Sequence, residues 1–359
     1  MKKVLLVNQG HTDNIGDQLI SKVMCEHLSD FCNITVSKFI PGESSSRIEL
    51  NNSVTQGENG NGKRKRLSDK LKQNYSLSLA LLTLKYYRKI VEEVKERYDV
   101  ILIGGGELLA DYVVFTAAMQ AWLLYSRKTK TKAIIYGVSG FPFEKKKHRF
   151  FRWLLDYCDL VCVRDKSTQS HLCQYMNKTI HYAPDVVFSM NRVMNCLFNP
   201  NKSEKNIFVS VYSTEELGVK PQNILEYFAK WTQVITREIK DSTECLLVGY
   251  TTQSDFRTAT KFYHYLIENP ISPNVKVKLC DYSDWEGYCK SVSKCNCVIT
   301  GRMHAMIIAL QCGCRIIPYT VKHKISVFKS EYVDKEYDMY SVNQAILSSI
   351  ELLKEKIGT

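Results

Sequence analysis

Apolar runs of strand length alternate with segments of helical periodicity along the whole 359-residue chain. Near the start, Val4 to Val7 is typical of a strand, Gln18 to Leu28 of a helix and Asn33 to Phe39 of a second strand. Runs such as Val4 to Val7 are apolar at every position, so they need cover on both faces of the sheet. The pattern therefore predicts an α/β protein in which helices flank parallel sheets.

A polar, Asn-rich stretch at residues 191–206 divides this alternation into two series. Before it, we predict a helix from about Leu67 to Arg97 and strands at Val100 to Ile103, Ala133 to Tyr136 and Leu160 to Val163. After it, the candidate strands are Ile207 to Val211, Cys245 to Val248, Val275 to Leu279, Cys297 to Ile299 and Ile316 to Ile317. The sequence thus predicts two Rossmann-like domains, residues 1–195 and 196–359, with a mobile loop over about residues 41–66. Tandem domains of this kind bind ligands in the crevice between them, at the carboxyl ends of the strands.

Composition argues against a mainly disordered chain and against a membrane-spanning one. Hydrophobic residues make up 45% of the sequence, more than disordered proteins carry. No apolar run reaches the roughly 18 residues that span a bilayer. Met1 to Val7 resembles the start of a signal peptide, but Asn8 and Gln9 interrupt it, so a buried strand is the better interpretation. We expect a cytoplasmic protein, either free or at the inner face of the membrane.

Thirteen cysteines raise the question of disulfides or a metal site. Several lie inside apolar segments, as small core residues do: Cys158, Cys162, Cys245, Cys297 and Cys312. Two C-x-C pairs, Cys295 with Cys297 and Cys312 with Cys314, lack the loop spacing of a zinc site. The cysteines therefore predict neither a disulfide framework nor a metal centre.

The chain is basic, with 49 Lys and Arg against 37 Asp and Glu and a net charge of +12. Two runs concentrate this charge, Lys63 to Arg66 and Lys145 to Arg149. Such runs bind nucleic acid or anionic lipid head groups, or form a solvated face. Because no helix-turn-helix, zinc finger or aromatic RNA-binding motif accompanies them, we predict no nucleic-acid partner. Peripheral membrane contact and a solvated face both stay open.

Residues 297–313 carry the most informative motif. An apolar strand leads to Gly301, Arg302 and His304 follow in the first turn of an apolar helix, and Gly313 closes that helix. Backbone N–H groups and the helix dipole make such a turn an anion site. Arg302 adds a rigid fork for phosphate or carboxylate, and His304 adds a group that moves a proton near neutral pH. The motif favours an enzyme acting on a small phosphorylated acid or a nucleotide, although a buried strand–helix turn fits the same residues.

Two other loops at strand ends contain glycine. Asn14, Gly16 and Asp17 lie between the first strand and the first helix, where they could cap the helix or contact a ligand. Gly104-Gly105-Gly106 follows a buried strand but lacks the Gly-x-Gly-x-x-Gly spacing of dinucleotide sites. It indicates backbone pressed close either to a ligand or to a neighbouring helix.

Charged residues mark two more strand ends. Arg164 and Asp165 follow the strand that ends at Val163, where they could orient a ligand or form an ion pair. Asp185, preceded by Pro184, comes shortly before the Asn-rich boundary stretch. Each signal is weak alone, and their shared position at strand ends favours a functional interpretation.

Taken in this order, the residues resemble the polysaccharide pyruvyl transferase family along nearly the whole chain. The resemblance rests on Asn14-x-Gly16-Asp17, Gly104-Gly105-Gly106, Arg164-Asp165, Pro184-Asp185 and Gly301-Arg302-x-His304, with Lys324 and Phe328 at the end of the pattern. It implies a fold similar to two-domain GT-B glycosyltransferases, and transfer of the enolpyruvyl unit of phosphoenolpyruvate to a sugar as a cyclic ketal. Met303 stands where leucine is common, and an acidic residue often found between Tyr319 and Lys324 is missing.

The chemistry of such a transfer predicts roles for individual residues. His304 would be the general acid that protonates the methylene carbon of phosphoenolpyruvate, and Arg302 would bind the donor's anionic groups. Asp17 or Asp165 would accept a proton from the sugar hydroxyl. The expected substrate-binding residues are Asn14, Gly16, Gly104, Gly105, Gly106, Arg164, Asp165, Asp185, Gly301 and Lys324. Neither metal nor cofactor is expected, since arginine and helix dipoles can neutralise the phosphate.

The acceptor is expected to be a sugar diol, linked to a nucleotide or to a lipid. Tyr212, Tyr250 and Tyr282 lie near predicted strand ends, where they could stack on a sugar or base or serve ordinary packing. Two alternatives stay open: a GT-B-type glycosyltransferase that uses a nucleotide sugar, and a non-catalytic module that binds glycan or nucleotide. The first needs a nucleoside pocket and no proton donor to carbon, so His304 favours pyruvyl transfer.

Overall fold

The computed structural model describes residues 1–42, 75–110, 112–140, 148–194, 205–335 and 338–359. They divide into two compact units. The first unit comprises Met1–Thr12, Met24–Val186 and Ala345–Thr359, and the second comprises Asp13–Val23 and Val187–Gln344. Most of the loop predicted over about residues 41–66 lies outside the described residues, as do Lys63 to Arg66 and residues 145–147 of the two basic runs.

The first unit contains a six-stranded parallel sheet. Its strands are β1 (Lys2–Asn8), β2 (Cys32–Lys38), β3 (Val100–Gly106), β4 (Lys132–Val138), β5 (Leu160–Val163) and β6 (His181–Tyr182). Their order across the sheet is β2-β1-β3-β4-β5-β6. The direction of winding reverses between β1 and β3, and in such sheets ligands bind outside the carboxyl ends of the strands at this point.

Helices of the first series follow the strands in turn. They are α1 (Ile15–Leu28), α2 (Tyr75–Glu93), α3 (Val113–Thr129), α4 (His148–Tyr157) and α5 (Lys166–Cys173). Most residues of α3 are buried, and its Trp122 donates from Nε1 to the carbonyl oxygen of Phe39 at 2.9 Å. A buried helix of this kind needs cover, and α2 packs against it through a 2.9 Å hydrogen bond from Thr83 Oγ1 to Gln120 Oε1.

The second unit contains a five-stranded parallel sheet. Its strands are β7 (Asn206–Ser210), β8 (Cys245–Gly249), β9 (Lys276–Leu279), β10 (Cys297–Thr300) and β11 (Arg315–Pro318), in the order β11-β10-β7-β8-β9. From the opposite edge this is the third, second, first, fourth and fifth strand of the series, which is Rossmann topology. The winding reverses between β7 and β10.

Helices and short 3₁₀ turns connect these strands. The helices are α6 (Met190–Met194), α7 (Ile224–Glu238), α8 (Gln253–Glu268), α9 (Trp285–Val292), α10 (Met303–Gln311), α11 (His323–Tyr332) and α12 (Met339–Gly358), and the 3₁₀ turns are Val186–Ser189 and Pro221–Asn223. Apolar side chains of α7 and α8, with Trp231 at 0% exposure, form the core against β7 and β8. Gly313 has a φ of 65°, so it ends α10 as the sequence predicts.

Residues 345–359 of α12 belong to the first unit. Ser349 Oγ is hydrogen-bonded to the Tyr136 hydroxyl, and Lys132 Nζ donates to the carbonyl oxygen of Lys356 at 2.8 Å. The predicted domains, 1–195 and 196–359, therefore differ from the observed units at three places. Residues 13–23 and 187–195 belong to the second unit, and residues 345–359 belong to the first.

The α/β class and every strand predicted from the sequence are confirmed, whereas β6 was not predicted. The apolar-segment cysteines are buried, except Cys245, which is half-buried. Among the described residues, no cluster of three or more His, Cys, Asp or Glu side chains could hold a metal ion. No helix in the described part of the chain is long and apolar enough to cross a membrane.

Candidate functional site

The Gly-Arg-x-His motif lies at the carboxyl end of β10, where the winding of the second sheet reverses. Arg302 is the N-cap residue of α10, and His304 lies in the first turn. A Cβ atom on Gly301 would lie 2.9 Å from Val321 Cγ2 and 3.2 Å from the Tyr319 carbonyl oxygen. Glycine is therefore required at this position for the chain to turn closely under the neighbouring loop.

The guanidinium of Arg302 is held by two carboxylates. Its Nε donates to Asp255 Oδ2 at 2.9 Å, and its Nη2 donates to Asp255 Oδ1 at 2.6 Å and to Glu216 Oε1 at 2.8 Å. Three of the five guanidinium N–H groups are used in this way, whereas the two on Nη1 donate to no partner within the described residues. The two-pronged face of the guanidinium that the sequence predicts to bind a ligand phosphate or carboxylate thus binds Asp255 instead.

Asp255 joins three loops at the carboxyl ends of the sheet. Its side chain is fully buried, and besides Arg302 it accepts from the Ser213 backbone N–H at 2.9 Å and from Thr251 Oγ1 at 2.7 Å. Ser213 follows β7, Thr251 follows β8 and Arg302 follows β10. A buried carboxylate is tolerated only when it is paired and hydrogen-bonded, as here. Asp255 therefore fixes the relative positions of the three loops.

Glu216 and Tyr212 complete the surroundings of Arg302. The guanidinium carbon lies 3.7 Å from the centroid of the Tyr212 ring, and Lys322 Nζ lies 4.9 Å from the same centroid. Burial raises the pKa of Glu216, but the charge and hydrogen bond of Arg302, with hydrogen bonds from Ser254 and Tyr212, outweigh it and lower the pKa to about 2. Glu216 is therefore ionised near neutral pH.

The two carboxylates more than balance the charge of Arg302. Burial lowers the pKa of this guanidinium, yet Asp255, Tyr212 and Glu216 together raise it above its ordinary value. One positive and two negative groups leave this cluster with a formal charge of −1. A dianionic ligand at this site must therefore obtain further positive charge from other groups, such as Lys322 or Lys324 in the loop and first turn of α11.

His304 lies directly against Gly16. A Cβ atom on Gly16 would lie 2.0 Å from His304 Nδ1 and 2.4 Å from its Cγ, far inside contact distance. Only glycine leaves room for the imidazole in this position. Two motifs that are nearly 290 residues apart in sequence thus form one local structure within the second unit.

Hydrogen bonds hold residues 13–17 in place. Asn14 Oδ1 accepts from the Gly16 backbone N–H at 2.9 Å, which caps α1. Ile15 donates its backbone N–H to the Thr251 carbonyl oxygen at 3.0 Å, and the Gln253 backbone N–H donates to Asp13 at 2.6 Å. Thr251 therefore links this segment to Asp255. Asp17, half-buried, follows Gly16 in the first turn of α1.

A second group of predicted residues meets in the first unit. The Gly104-Gly105-Gly106 loop ends β3, and the Gly106 carbonyl oxygen accepts from the Ser139 backbone N–H at 2.9 Å. Ser139 Oγ in turn accepts from Arg164 Nε at 3.0 Å, and Arg164 Nη1 donates to Asp185 Oδ2 at 2.7 Å. Arg164 and Asp185 are 8% and 4% exposed, so they form a buried ion pair.

Asp165, in contrast, caps a helix. Its Oδ1 accepts from the Thr168 backbone N–H at 2.6 Å and its Oδ2 accepts from Thr168 Oγ1 at 2.8 Å, which is an N-cap arrangement for α5. Tyr250 and Tyr282 likewise bind each other. Their rings stack 4.5 Å apart, and the Tyr282 hydroxyl donates to the Tyr250 carbonyl oxygen at 2.6 Å.

Sequence reasoning did not identify Asp255, Glu216 or Thr251. A local signal exists for Asp255, because Thr252-x-x-Asp255 follows β8 and has the spacing of a helix N-cap. Thr252 Oγ1 does accept from the Asp255 backbone N–H at 3.1 Å. The Asp255 carboxylate, however, binds Arg302, which is 47 residues away in sequence. The local signal therefore predicts the cap and not this ion pair.

Several solved structures with a similar fold are UDP-N-acetylglucosamine 2-epimerases. UDP-N-acetylglucosamine 2-epimerase from Rickettsia bellii matches with a TM-score of 0.53 and 10% identity, over 99% of this chain and 96% of that one. The UDP-GlcNAc 2-epimerase from Methanocaldococcus jannaschii matches with a TM-score of 0.52 and 8% identity, over 99% of this chain and 100% of that one. The Neisseria meningitidis epimerase bound to UDP-GlcNAc matches with a TM-score of 0.52 and 10% identity, over 98% of this chain and 100% of that one. At these identities the likeness concerns the fold alone, a GT-B-like pair of α/β units.

The sequence itself matches a protein family over most of its length. Among curated protein sequences, none matches this chain significantly. Residues 14–323, however, match the family described as polysaccharide pyruvyl transferase. The matched region begins at Asn14 and contains both groups of strand-end residues described above. The chain belongs to the polysaccharide pyruvyl transferase family.

Proposed function

We propose that the protein transfers the enolpyruvyl unit of phosphoenolpyruvate to a sugar diol, forming a pyruvate ketal on a surface polysaccharide or its precursor and releasing phosphate. Family membership supports the reaction class. The observation that carries the assignment is the contact between His304 and Gly16. This contact supports the proposal, because it fixes the His304 imidazole, a group that can move a proton, two residues from Arg302 at the carboxyl end of β10, where α/β sheets bind ligands.

His304 supplies the proton in this mechanism. Protonation of the methylene carbon of phosphoenolpyruvate turns it into a methyl group and makes the central carbon electrophilic. One sugar hydroxyl attacks that carbon, the phosphate departs, and the second hydroxyl attacks to close the ketal. Two C–O bonds to the central carbon form, and the bond from that carbon to the phosphate oxygen breaks. One of the two hydroxyl protons restores to the enzyme the proton that His304 gave to the methylene carbon, and the other leaves on the phosphate.

Asp17 is the better candidate for the base that accepts a hydroxyl proton. It lies one residue from Gly16 and in the same unit as His304. Asp165, the other candidate, uses both carboxylate oxygens to bind Thr168. Asp165 therefore serves the structure of α5 in this mechanism, and Asp17 serves the chemistry.

The donor's negative charges need more than Arg302. Because Asp255 and Glu216 balance that guanidinium, it contributes directional N–H groups on Nη1 rather than net charge. We assign the missing charge to Lys322 and Lys324, assisted by the N-terminal N–H groups of α10 and α11. Arg164 and the Gly104–Gly106 loop are proposed substrate contacts of the first unit. No cofactor takes part in this scheme.

The acceptor is a sugar attached to a nucleotide or to a lipid. A nucleotide-linked acceptor agrees with the fold, because one neighbour of this fold is described as bound to UDP-GlcNAc. The same fold likeness supports the second candidate function, glycosyl transfer from a nucleotide sugar. The two differ in donor, and a transfer assay separates them.

The test combines ligand binding with product analysis. Purified protein is incubated with phosphoenolpyruvate and candidate UDP-sugars, and phosphate release and acceptor mass are followed. We expect phosphate release only when an acceptor is present, with the acceptor gaining one pyruvate ketal. The variant His304→Ala should lose about 10²–10⁴-fold in rate while still folding. Sugar transfer from a UDP-sugar without phosphoenolpyruvate would establish the glycosyltransferase instead.

A further inference from the structure

Helix α2 carries a line of exposed apolar side chains along its outer face. Leu77, Leu81, Leu84 and Val91, here called the α2 stripe, are 41%, 53%, 48% and 46% exposed. Their spacing is i, i+4, i+7 and i+14, which places them on one side of a helix. Scattered exposed leucines are ordinary on protein surfaces, but a continuous line of them indicates an interaction surface.

The opposite side of α2 is firmly packed, so the stripe does not result from a loosely attached helix. Leu79, Tyr86 and Ile90 are buried in the core of the first unit. Thr83 Oγ1 donates to Gln120 Oε1 of α3 at 2.9 Å. The helix thus has two apolar sides, one of which faces the protein core and the other of which faces outward.

Positive side chains lie beside the stripe. Arg88 falls on the same line, between Leu84 and Val91, and Lys85 is its exposed neighbour. From α3, Lys128 Nζ reaches to 5.6 Å from the Tyr87 ring. Lys89 of the same helix is paired with Glu92 at 2.7 Å, whereas within the described residues no ion pair is recorded for Lys85 or Arg88. These cations are therefore in position to meet negative charge presented by a partner.

We propose that the α2 stripe and its neighbouring cations form a docking surface for an anionic lipid bilayer. A second copy of the chain is a poorer occupant, because burying the stripe against protein would desolvate Arg88 in the middle of an apolar seam. At a bilayer surface the leucines enter the boundary between head groups and acyl chains, about 5–10 Å deep. Lys85, Arg88 and Lys128 have long stems that reach the lipid phosphates from the same position.

This surface differs from the basic runs singled out in the sequence. It is built from leucine and valine side chains on a packed helix, with Arg88 on the same line and Lys85 and Lys128 beside it. It also stands apart from the transfer reaction, because it contains none of the residues assigned to substrate. Binding to lipid is therefore measured without phosphoenolpyruvate or acceptor, and its outcome is independent of the proposed function.

The test is co-sedimentation of the full chain with vesicles. One set contains phosphatidylcholine alone and the other phosphatidylcholine with phosphatidylglycerol. We expect binding to the anionic vesicles, weakened as salt is raised. The double variant Leu81→Gln/Leu84→Gln should bind about tenfold or more weakly, since it removes two inserted side chains. Arg88→Gln should weaken binding about fivefold, as expected for one cation near an anionic surface.

Leu225→Gln provides the matched control. Leu225 is 67% exposed on α7 of the second unit and is not part of the stripe, so this variant should bind vesicles as the unchanged protein does. Glutamine is a good helix former, and circular dichroism checks that α2 survives. The proposal is overturned if the unchanged protein binds neither vesicle type, or if the double variant binds equally well. A dimer that the double variant dissociates would assign the stripe to a second copy instead.

Discussion

At the scale of single residues, the site depends on close contacts that leave no room for change. Gly16 and His304 touch so closely that any side chain on residue 16 would displace the imidazole. Arg302 is fixed on three sides by Asp255, Glu216 and Tyr212. At Gly16 a small substitution should therefore change the reaction more than it changes stability, whereas at the buried Asp255 it should change both.

Gly16→Ala is the sharpest test of the first contact. The new Cβ atom would lie 2.0 Å from His304 Nδ1, so the imidazole must move. We expect kcat to fall at least about tenfold, because a proton donor displaced by an ångström loses most of its effect. Alanine has the higher helix propensity, which limits the loss of stability. Steady-state kinetics and thermal unfolding measure the two effects.

Gly358→Ala serves as its control. Gly358 lies at the end of α12, where an added Cβ meets only Phe31 at an ordinary 3.6 Å. This variant should keep full activity. Unchanged kcat in Gly16→Ala would show that His304 does not need its present position.

Asp255→Asn tests the second set of contacts. Breaking a buried ion pair by changing one partner costs about 3–5 kcal/mol, because the remaining charge stays buried. The free energy of unfolding in urea should fall by this amount, and the KM for phosphoenolpyruvate should rise as Nη1 of Arg302 loses its fixed direction. The KM for the acceptor should change less.

The neighbouring pair of Glu215 and Arg257 supplies the comparison. Both side chains are substantially exposed, 54% and 40%, and exposed ion pairs contribute about 0–1 kcal/mol. Glu215→Gln should therefore leave both stability and KM nearly unchanged. Equal losses in the two variants would remove the special role given to Asp255.

At the scale of helices and strands, each strand end has a defined function in the structure. Asp165 caps α5, Asn14 caps α1, and Asp255 binds three loops at once. The sequence identified the strands and most of these polar residues, because periodicity and N-cap chemistry are local signals. It could not separate a capping aspartate from a ligand-binding one, since both occur at the same place in a strand–helix turn. The Arg302–Asp255 pair is long-range, so no local pattern predicts it.

Asp165→Ala tests the capping assignment. Loss of both hydrogen bonds to Thr168 should cost about 1 kcal/mol of stability, the usual effect of removing an N-cap. At a temperature where the variant stays folded, its kcat and KM should match those of the unchanged protein. A large rise in KM without loss of stability would show instead that Asp165 binds substrate.

At the scale of the whole molecule, acid stability should reflect the carboxylates that bind Arg302. The pKa of Glu216 is about 2 in the folded protein, against an ordinary value of 4.5. A lowered pKa stabilises the folded state above pH 4.5, and this stabilisation is lost as the pH falls toward 2. Glu216→Gln should therefore melt below the unchanged protein at pH 6 to 8, with a difference that shrinks below about pH 4. A constant difference across this range would contradict the assignment.

The two-unit α/β architecture was predictable from the sequence, whereas the assignment of segments to units was not. Alternating strands and helices show the class, but nothing in residues 13–23 or 345–359 indicates which sheet they will pack against. That choice depends on tertiary contacts such as Ile15 with Thr251 and Ser349 with Tyr136. The polar stretch at residues 191–206 separates the strands of one sheet from those of the other, but it does not define which segments pack into each unit.

The return of α12 to the first unit has a consequence for biosynthesis. Tyr136 is buried deep in the first unit, and its hydroxyl finds its partner on Ser349, more than 200 residues later in the chain. As the ribosome makes the protein, the first six strands emerge long before that partner exists. The first unit begins to be synthesised before the second but is completed after it. Until residues 345–359 are made, the surface of the first unit that they cover stays exposed.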